Sequence, residues 1–228
     1  MSQHLEKLAD GFDVEPVLAQ LANHPELWNV YHERRIGPHR DASDIWVRYF
    51  DRDVLTGPEA YRERHPLVFY PAWSALPGLK PIVKRLIDIE QAHQLGGILI
   101  TKIPSGGVVD WHHDRGSWHA EYFDRKLYVP LKSNSRCVNY VGTERCVMHA
   151  GSAWYFNNLV DHAVENNGDT DRLTLIVCLR RIASLADLAD DWEASLRAEG
   201  ARHGKAGGAR HRDAERGVAP RGSERIGQ

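Results

Sequence analysis

Large apolar residues change their spacing several times along this chain. From Leu5 they recur at Leu8, Phe12, Val17, Leu18 and Leu21, at helical spacing, which predicts an amphipathic helix with one buried face. Pro38 and an Asp/Ser cluster end that texture, and "IWVRYF" reads as a strand. A second helix is predicted within "PGLKPIVKRLIDIEQAHQLGG", started near Pro77 and stopped by Gly96 and Gly97.

From Gly97 the pattern becomes that of short strands. "GILITKI", "VVDWHHD", "KLYVPL", "RCVNYVG", "ERCVMHA", "SAWYFNN", "DHAVEN" and "RLTLIVCLRR" are rich in β-branched and aromatic residues and are separated by Gly, Asn, Ser and Asp turns. Strands so closely spaced imply a sandwich, jelly roll or barrel. After Arg181 a helical repeat returns at Ile182, Leu185, Leu188, Trp192 and Leu196, and the remainder is Gly/Arg-rich with almost no large apolar residue. The expected organisation is a single domain over 1–199, with a helical and strand extension (1–96), a β core (97–181) and a C-terminal helix (182–199), followed by a disordered basic tail (200–228).

Composition sharpens this picture in three ways. A chain of 228 residues, 42% hydrophobic, can bury one sizeable core. No apolar run approaches the ~20 residues of a membrane span, and "MSQHLEKLAD" is polar where a signal peptide would be apolar, so a soluble, cytoplasmic protein is expected. Cys137, Cys146 and Cys178 are odd in number and lack CxxC spacing, which suggests reduced core residues rather than disulfides or a thiolate zinc site. The net charge of -2 divides unevenly: the tail from Ala201 carries +4 and the preceding residues -6. An acidic folded part argues against a nucleic-acid-binding face, leaving only a weak contact of the tail with nucleic acid or an acidic partner as a minority reading.

The candidate chemistry centres on "VVDWHHDRGSW" at 108–118. In a strand, residues i and i+2 share a face, so His112 and Asp114 point together while Trp111 and His113 point away. An imidazole and a carboxylate from one strand supply half of a metal site, and a distant second histidine would complete the two-His-one-carboxylate set that suits non-haem Fe(II). His162 is the candidate. Arg172, ten residues further, opens the last apolar strand, where a fixed guanidinium could clamp a carboxylate. With 13 histidines in the chain, His-x-Asp alone is weak evidence, and Asp110, two residues before His112, is a rival carboxylate or a supporting acid.

Taken together, "ITKIPSGGVVDWHHD", "KLYVPLKSN", "HAGSAWYFNNLVDHAVENNGDTDR" and "LTLIVCLR" resemble, in that order, the Fe(II)- and 2-oxoglutarate-dependent oxygenases of the aspartyl/asparaginyl β-hydroxylase-like branch. The resemblance runs over 97–181. It implies a mainly β fold, a double-stranded β-helix (a jelly-roll, cupin-like barrel) with flanking N-terminal and C-terminal helices. It implies His112, Asp114 and His162 as ligands of Fe(II), Arg172 as the binder of the far carboxylate of 2-oxoglutarate, and Thr101 as a hydroxyl assisting it. Lys126 and Tyr128 stand where the branch often has Arg-x-His, and so take the place of cosubstrate-binding residues in altered form. The implied reaction consumes O2 and 2-oxoglutarate, releases succinate and CO2, and hydroxylates an unactivated C–H bond of an amino-acid-like or peptidyl substrate. The alternatives are the same chemistry on another small metabolite or nucleobase, and a non-catalytic metal-binding cupin-like module.

Other polar residues carry plainer expectations. Arg34, Arg35, Arg40 and Arg48 read as solvated charges on a strand that extends the sheet, with binding of an anionic substrate group as the sharper alternative. Ser133, Asn134 and Arg136 suit either a turn or the substrate side, while Trp111 and Trp118 are expected to pack, with the barrel mouth as the alternative setting for Trp118. His119 and His149 read as ordinary barrel residues.

Overall fold

The computed structural model describes residues 4–54 and 57–181. The helix expected over 182–199 and the tail at 200–228 lie outside the described residues. In chain order the elements are β1 (Leu5–Ala9), α1 (Glu15–Asn23), β2 (Ser43–Phe50), β3 (Leu67–Phe69), α2 (Ala72–Ala75), α3 (Leu79–Glu90), β4 (Gln94–Ile103), β5 (Val108–His112), α4 (Trp118–Tyr122), β6 (Arg125–Lys132), β7 (Cys137–Val141), β8 (Glu144–Cys146), β9 (Ala153–Phe156), β10 (His162–Asn166) and β11 (Arg172–Arg180).

The strands form a larger sheet ordered β1-β9-β6-β11-β4-β2-β3 and a smaller one ordered β5-β10-β7-β8. Every pairing is antiparallel. Alternation along the central strands divides their side chains between two environments. Ile98, Ile100, Leu127, Val129, Leu175 and Val177 pack with Val17 and Leu21 of α1 and Leu79, Ile82 and Leu86 of α3. Trp46, Leu99, Tyr128 and Ile176 turn the other way and meet Val141 and Met148, so the second face closes on the smaller sheet. Because both faces are covered, β4 and β11 read as nearly continuous apolar runs. This is the mainly β jelly-roll architecture that the strand pattern led us to expect.

Two expected boundaries are corrected. Residues 5–9 form β1 rather than the start of a helix, and the helix begins only at Glu15. A spacing of three is ambiguous: in a helix Leu5 and Leu8 would share a face, whereas in a strand they point oppositely. Leu5 is in the inter-sheet core and Leu8 packs against the helix-covered one. Gly96 and Gly97 do not stop α3, which ends at Glu90 with Gln91 left-handed (φ 49°); both glycines lie inside β4. Their role is close packing under α4, since a Cβ at Gly96 would fall 2.7 Å from the Phe123 ring and one at Gly97 3.0 Å from His119 Nε2.

Candidate active site

Strand pairing brings the two histidines together. His112 and His162 are directly opposed in the β5–β10 ladder, next to an irregularity between His162 and Val164, and their ring centroids are 4.1 Å apart. Directly opposite side chains on one face are the nearest neighbours a ladder offers, so this register unites residues fifty positions apart in sequence. β5 ends at His112, and Asp114 lies just beyond it, its N–H donating to Asn158 O at 2.9 Å. The expected strand through Asp114 is thus two residues too long, yet the carboxylate still reaches the imidazoles. One donor atom from each of His112, Asp114 and His162 lies within 4.8 Å of the others.

Hydrogen bonds fix which atoms face inward. His112 Nδ1 is 2.7 Å from Asp110 O and His162 Nδ1 is 2.8 Å from Val160 O. A carbonyl only accepts, so each Nδ1 carries the proton and each Nε2 keeps its lone pair. Burial lowers the pKa of both rings, that of His162 to about 4 with help from the Lys126 charge, so both are neutral at pH 7. Asp114 behaves oppositely. Burial alone would raise its pKa, but Lys126, His162 and Asn158 outweigh this and hold the carboxyl well below the usual carboxylate range. Two neutral imidazoles and one carboxylate, with their remaining polar atoms already bonded to the protein, suit a divalent iron ion.

Arg172 is handled differently. It is 3% exposed at the start of β11, and Nη2 donates to Asn139 Oδ1 across the sheets at 3.0 Å. Its Nε has no partner, nor has the hydroxyl of Thr174, two residues on and on the same strand face. Burial lowers the pKa of Arg172, and among the described residues the Cys137, Tyr128 and Cys146 side chains act against that while no carboxylate does. A buried guanidinium without a counter-anion is costly unless a ligand supplies one, and a dicarboxylate such as 2-oxoglutarate fits that need.

A cavity of about 420 Å³ opens beside the cluster and is lined by His112, Asp114 and Lys126 together with Arg34, His39 and Tyr49. His39 meets His112 edge-on at 4.6 Å, and burial pushes its pKa down to about 2. His119 also lines the space; its Nε2 accepts from Gly97 N–H at 2.9 Å, and burial holds its pKa at about 3. It is therefore a neutral imidazole with the proton on Nδ1.

The remaining sequence candidates fall unevenly. The Thr101 hydroxyl donates to Asp44 at 2.7 Å, and Asp44 also pairs with Arg34 at 2.7 Å. Lys126, expected on the cosubstrate, instead donates to Asp114 Oδ2 at 2.7 Å. Tyr128 lies inside the barrel, 4.6 Å from the Phe156 ring, where the Lys126 and Arg172 charges both act on its phenol. The Asp110 carboxylate turns to Arg40 at 2.8 Å and leaves the imidazoles to Asp114, while its backbone carbonyl orients His112. Arg48 donates to Leu95 O and Gly96 O, and Asn134 holds the turn before β11 through Asn166 and Thr170 O; both are structural. His113 is exposed, as the alternation expects; Trp111, expected to pack, is also exposed, because it lies on the outer face of β5. Sequence reasoning missed Asn158, which donates to Asp114 Oδ2 at 2.7 Å, and also His39 and Thr174. The one available signal was the Arg-x-Thr spacing on β11.

Comparison with known proteins agrees with this geometry. Residues 69–181 match the family described as Aspartyl/Asparaginyl beta-hydroxylase. A prolyl hydroxylase from Trichoplax adhaerens, solved with a hypoxia inducible factor oxygen degradation domain peptide fragment, is similar in structure with a TM-score of 0.53, at 10% identity, over 78% of this chain and 84% of that one. The viral collagen prolyl hydroxylase of Paramecium Bursaria Chlorella virus-1, solved with 2OG, aligns at a TM-score of 0.49 and 10% identity over 79% of this chain and 97% of its own. None of the curated proteins compared matches the sequence. The family match covers β4 to β11 and every candidate ligand, and the chain belongs to the Fe(II)- and 2-oxoglutarate-dependent oxygenases of the aspartyl/asparaginyl β-hydroxylase family.

Proposed function

We propose that this hydroxylase acts on an unactivated C–H bond of an amino-acid-like or peptidyl substrate and releases succinate and CO2. The observation that carries the reading is Arg172, a buried cation with no anionic partner among the described residues, in the same barrel as a preformed His-Asp-His cluster. His112 Nε2, His162 Nε2 and an oxygen of Asp114 would hold the iron. Arg172, with the Thr174 hydroxyl on the same face, would take the far carboxylate of 2-oxoglutarate. Once bound, iron and cosubstrate supply the oxidising chemistry: one oxygen atom of O2 ends in succinate and the other in the product alcohol.

The protein's own contribution is placement and exclusion of water. The two Nδ1–H···O=C bonds fix the imidazole planes, and Lys126 with Asn158 fixes the carboxylate. Arg34, His39, Tyr49 and His119 wall the space in which a substrate would lie against the metal. A non-catalytic metal-binding barrel would not require an open carboxylate clamp. Peptidyl substrates stay within the reading because a barrel of this fold accepts a peptide in the Trichoplax enzyme.

The test is a succinate-release screen of Fe(II)-loaded protein over free amino acids, peptides and nucleosides, with mass detection of products heavier by about one oxygen atom. Succinate and an oxygenated amino acid or peptide, both lost in His162→Ala, are expected. An oxygenated nucleoside would transfer the assignment to the nucleobase alternative. No O2-dependent succinate from any class, or from the loaded protein alone, would overturn the reading.

A further inference from the structure

Lys126 occupies a position unlike the one its sequence context suggested. We propose that Lys126, together with Asn158, is a positioning residue that restricts Asp114 to binding the metal through a single oxygen. The proposal rests on the reading of His112, Asp114 and His162 as the metal site. Both donors converge on the same atom: Lys126 Nζ and Asn158 Nδ2 each lie 2.7 Å from Asp114 Oδ2. Two donors at that distance fill the lone-pair directions of a carboxylate oxygen. The other oxygen, Oδ1, faces the cluster, 3.8 Å from His112 Nε2.

For Asp114 to bind through both oxygens, it would have to abandon both hydrogen bonds. One of them is charge-assisted, and its loss would leave the Lys126 ammonium unpaired with only 14% of its side chain exposed. The backbone reinforces the arrangement. Asn158 O accepts the Asp114 N–H at 2.9 Å, so the residue that grips the carboxylate also anchors the chain segment bearing it. Asn158 is four residues before His162, and one loop therefore places two of the three ligands. A carboxylate limited to one oxygen keeps positions on the metal free for a chelating cosubstrate and O2, which a carboxylate bound through both would reduce. Lys126 serves the cosubstrate through Asp114 rather than by touching it.

The experiment uses the full chain loaded with Co(II), whose visible spectrum reports its coordination, without cosubstrate and then with 2-oxoglutarate. Lys126→Met and Asn158→Leu should each alter the Co(II) spectrum before cosubstrate is added. Each should also weaken 2-oxoglutarate binding to the metal-loaded protein by roughly tenfold, the lower end for removal of a group that orients a ligand. Lys126→Arg should restore both properties. If Lys126→Met proves too unstable to load, Asn158→Leu alone removes a neutral donor and decides the matter through the same two readouts. Unchanged Co(II) spectra in the loaded variants, with cosubstrate affinity lost only in Lys126→Met, would make Lys126 a direct cosubstrate contact and overturn the proposal. A wild-type chain that takes up no Co(II), or one whose uptake is indifferent to His162→Ala, would overturn the metal-site reading itself and the proposal with it.

Discussion

Asp114 and Arg172 are both charged side chains withdrawn from water in one barrel, yet the protein treats them oppositely. The carboxylate has a lysine and an asparagine on one oxygen, with His112 Nε2 3.8 Å from the other and His162 in the same cluster. The guanidinium has an amide on one nitrogen and, among the described residues, an orphaned Nε and no acid acting on it. Burying a charge is tolerable when a partner compensates it. Asp114 finds its partners within the chain and is ready before any metal arrives. Arg172 finds no such partner among the described residues, and the shape of its need is a carboxylate.

The largest effects should come from breaking the metal end. Asp114→Ala or His162→Ala should abolish metal binding and turnover with the far-UV spectrum unchanged, because each removes a ligand from a three-ligand set. Equilibrium dialysis with Fe(II) or Co(II) checks this, and retained stoichiometric binding in either variant would contradict the assignment.

Breaking the cosubstrate end should be graded rather than absolute. Arg172→Met should raise the 2-oxoglutarate concentration needed for half-maximal succinate release by roughly 10- to 100-fold, as expected for a lost charge-assisted hydrogen bond. Thermal melting sharpens the contrast. Without ligands, Arg172→Met should melt at or above the wild-type temperature, since it removes an uncompensated cation. Lys126→Met should melt lower, by the equivalent of about 1–3 kcal/mol, since it strands Asp114. The reverse order of these melts would dissolve the comparison.

Acid provides a milder perturbation. His119 is held neutral, its pKa depressed from 6.5 to about 3 chiefly by burial and then by the Lys126 charge. Its contribution to stability is complete above pH 6.5 and is lost as the pH falls from there toward 3, with a slope of at most about 1.4 kcal/mol per pH unit. His119→Gln should flatten that part of the stability profile in denaturant titrations, and an unchanged profile would show that other groups govern it.

The smallest effect is expected at Asp110, whose partner Arg40 is 60% exposed. Asp110→Asn should retain metal binding and shift melting little, because exposed ion pairs contribute about 0–1 kcal/mol. An inactive Asp110→Asn beside an active Asp114→Asn would reverse the choice of ligand.

How far the sequence revealed this arrangement depended on whether a feature is local. The strands from β4 to β11 were legible because their apolar runs are bounded by turn residues, and His112 with Asp114 because two positions in a chain cannot stray far apart. His162 and Arg172 were legible through a motif whose order is kept. β1 was not, because Leu5 and Leu8 satisfy a helical spacing as well as the two faces of a strand. The partners of polar groups were least legible of all. Thr101 could have met Arg172 or Asp44, and Lys126 the cosubstrate or Asp114; which contact forms depends on register and on loop paths between distant segments. Asn158 lay unnoticed inside "WYFNNLVDH", where an asparagine reads as a turn residue.

One barrel joins a preformed metal site to a buried guanidinium suited to clamp a carboxylate. Anaerobic titration of the Fe(II)-loaded protein with 2-oxoglutarate tests it most directly, through the visible charge-transfer band that forms when the keto acid chelates iron. A saturable band is expected in the wild type, the same band at roughly 10- to 100-fold higher 2-oxoglutarate in Arg172→Met, and none in His162→Ala. Absence of the band in the wild type, or a titration midpoint indifferent to Arg172, would contradict it.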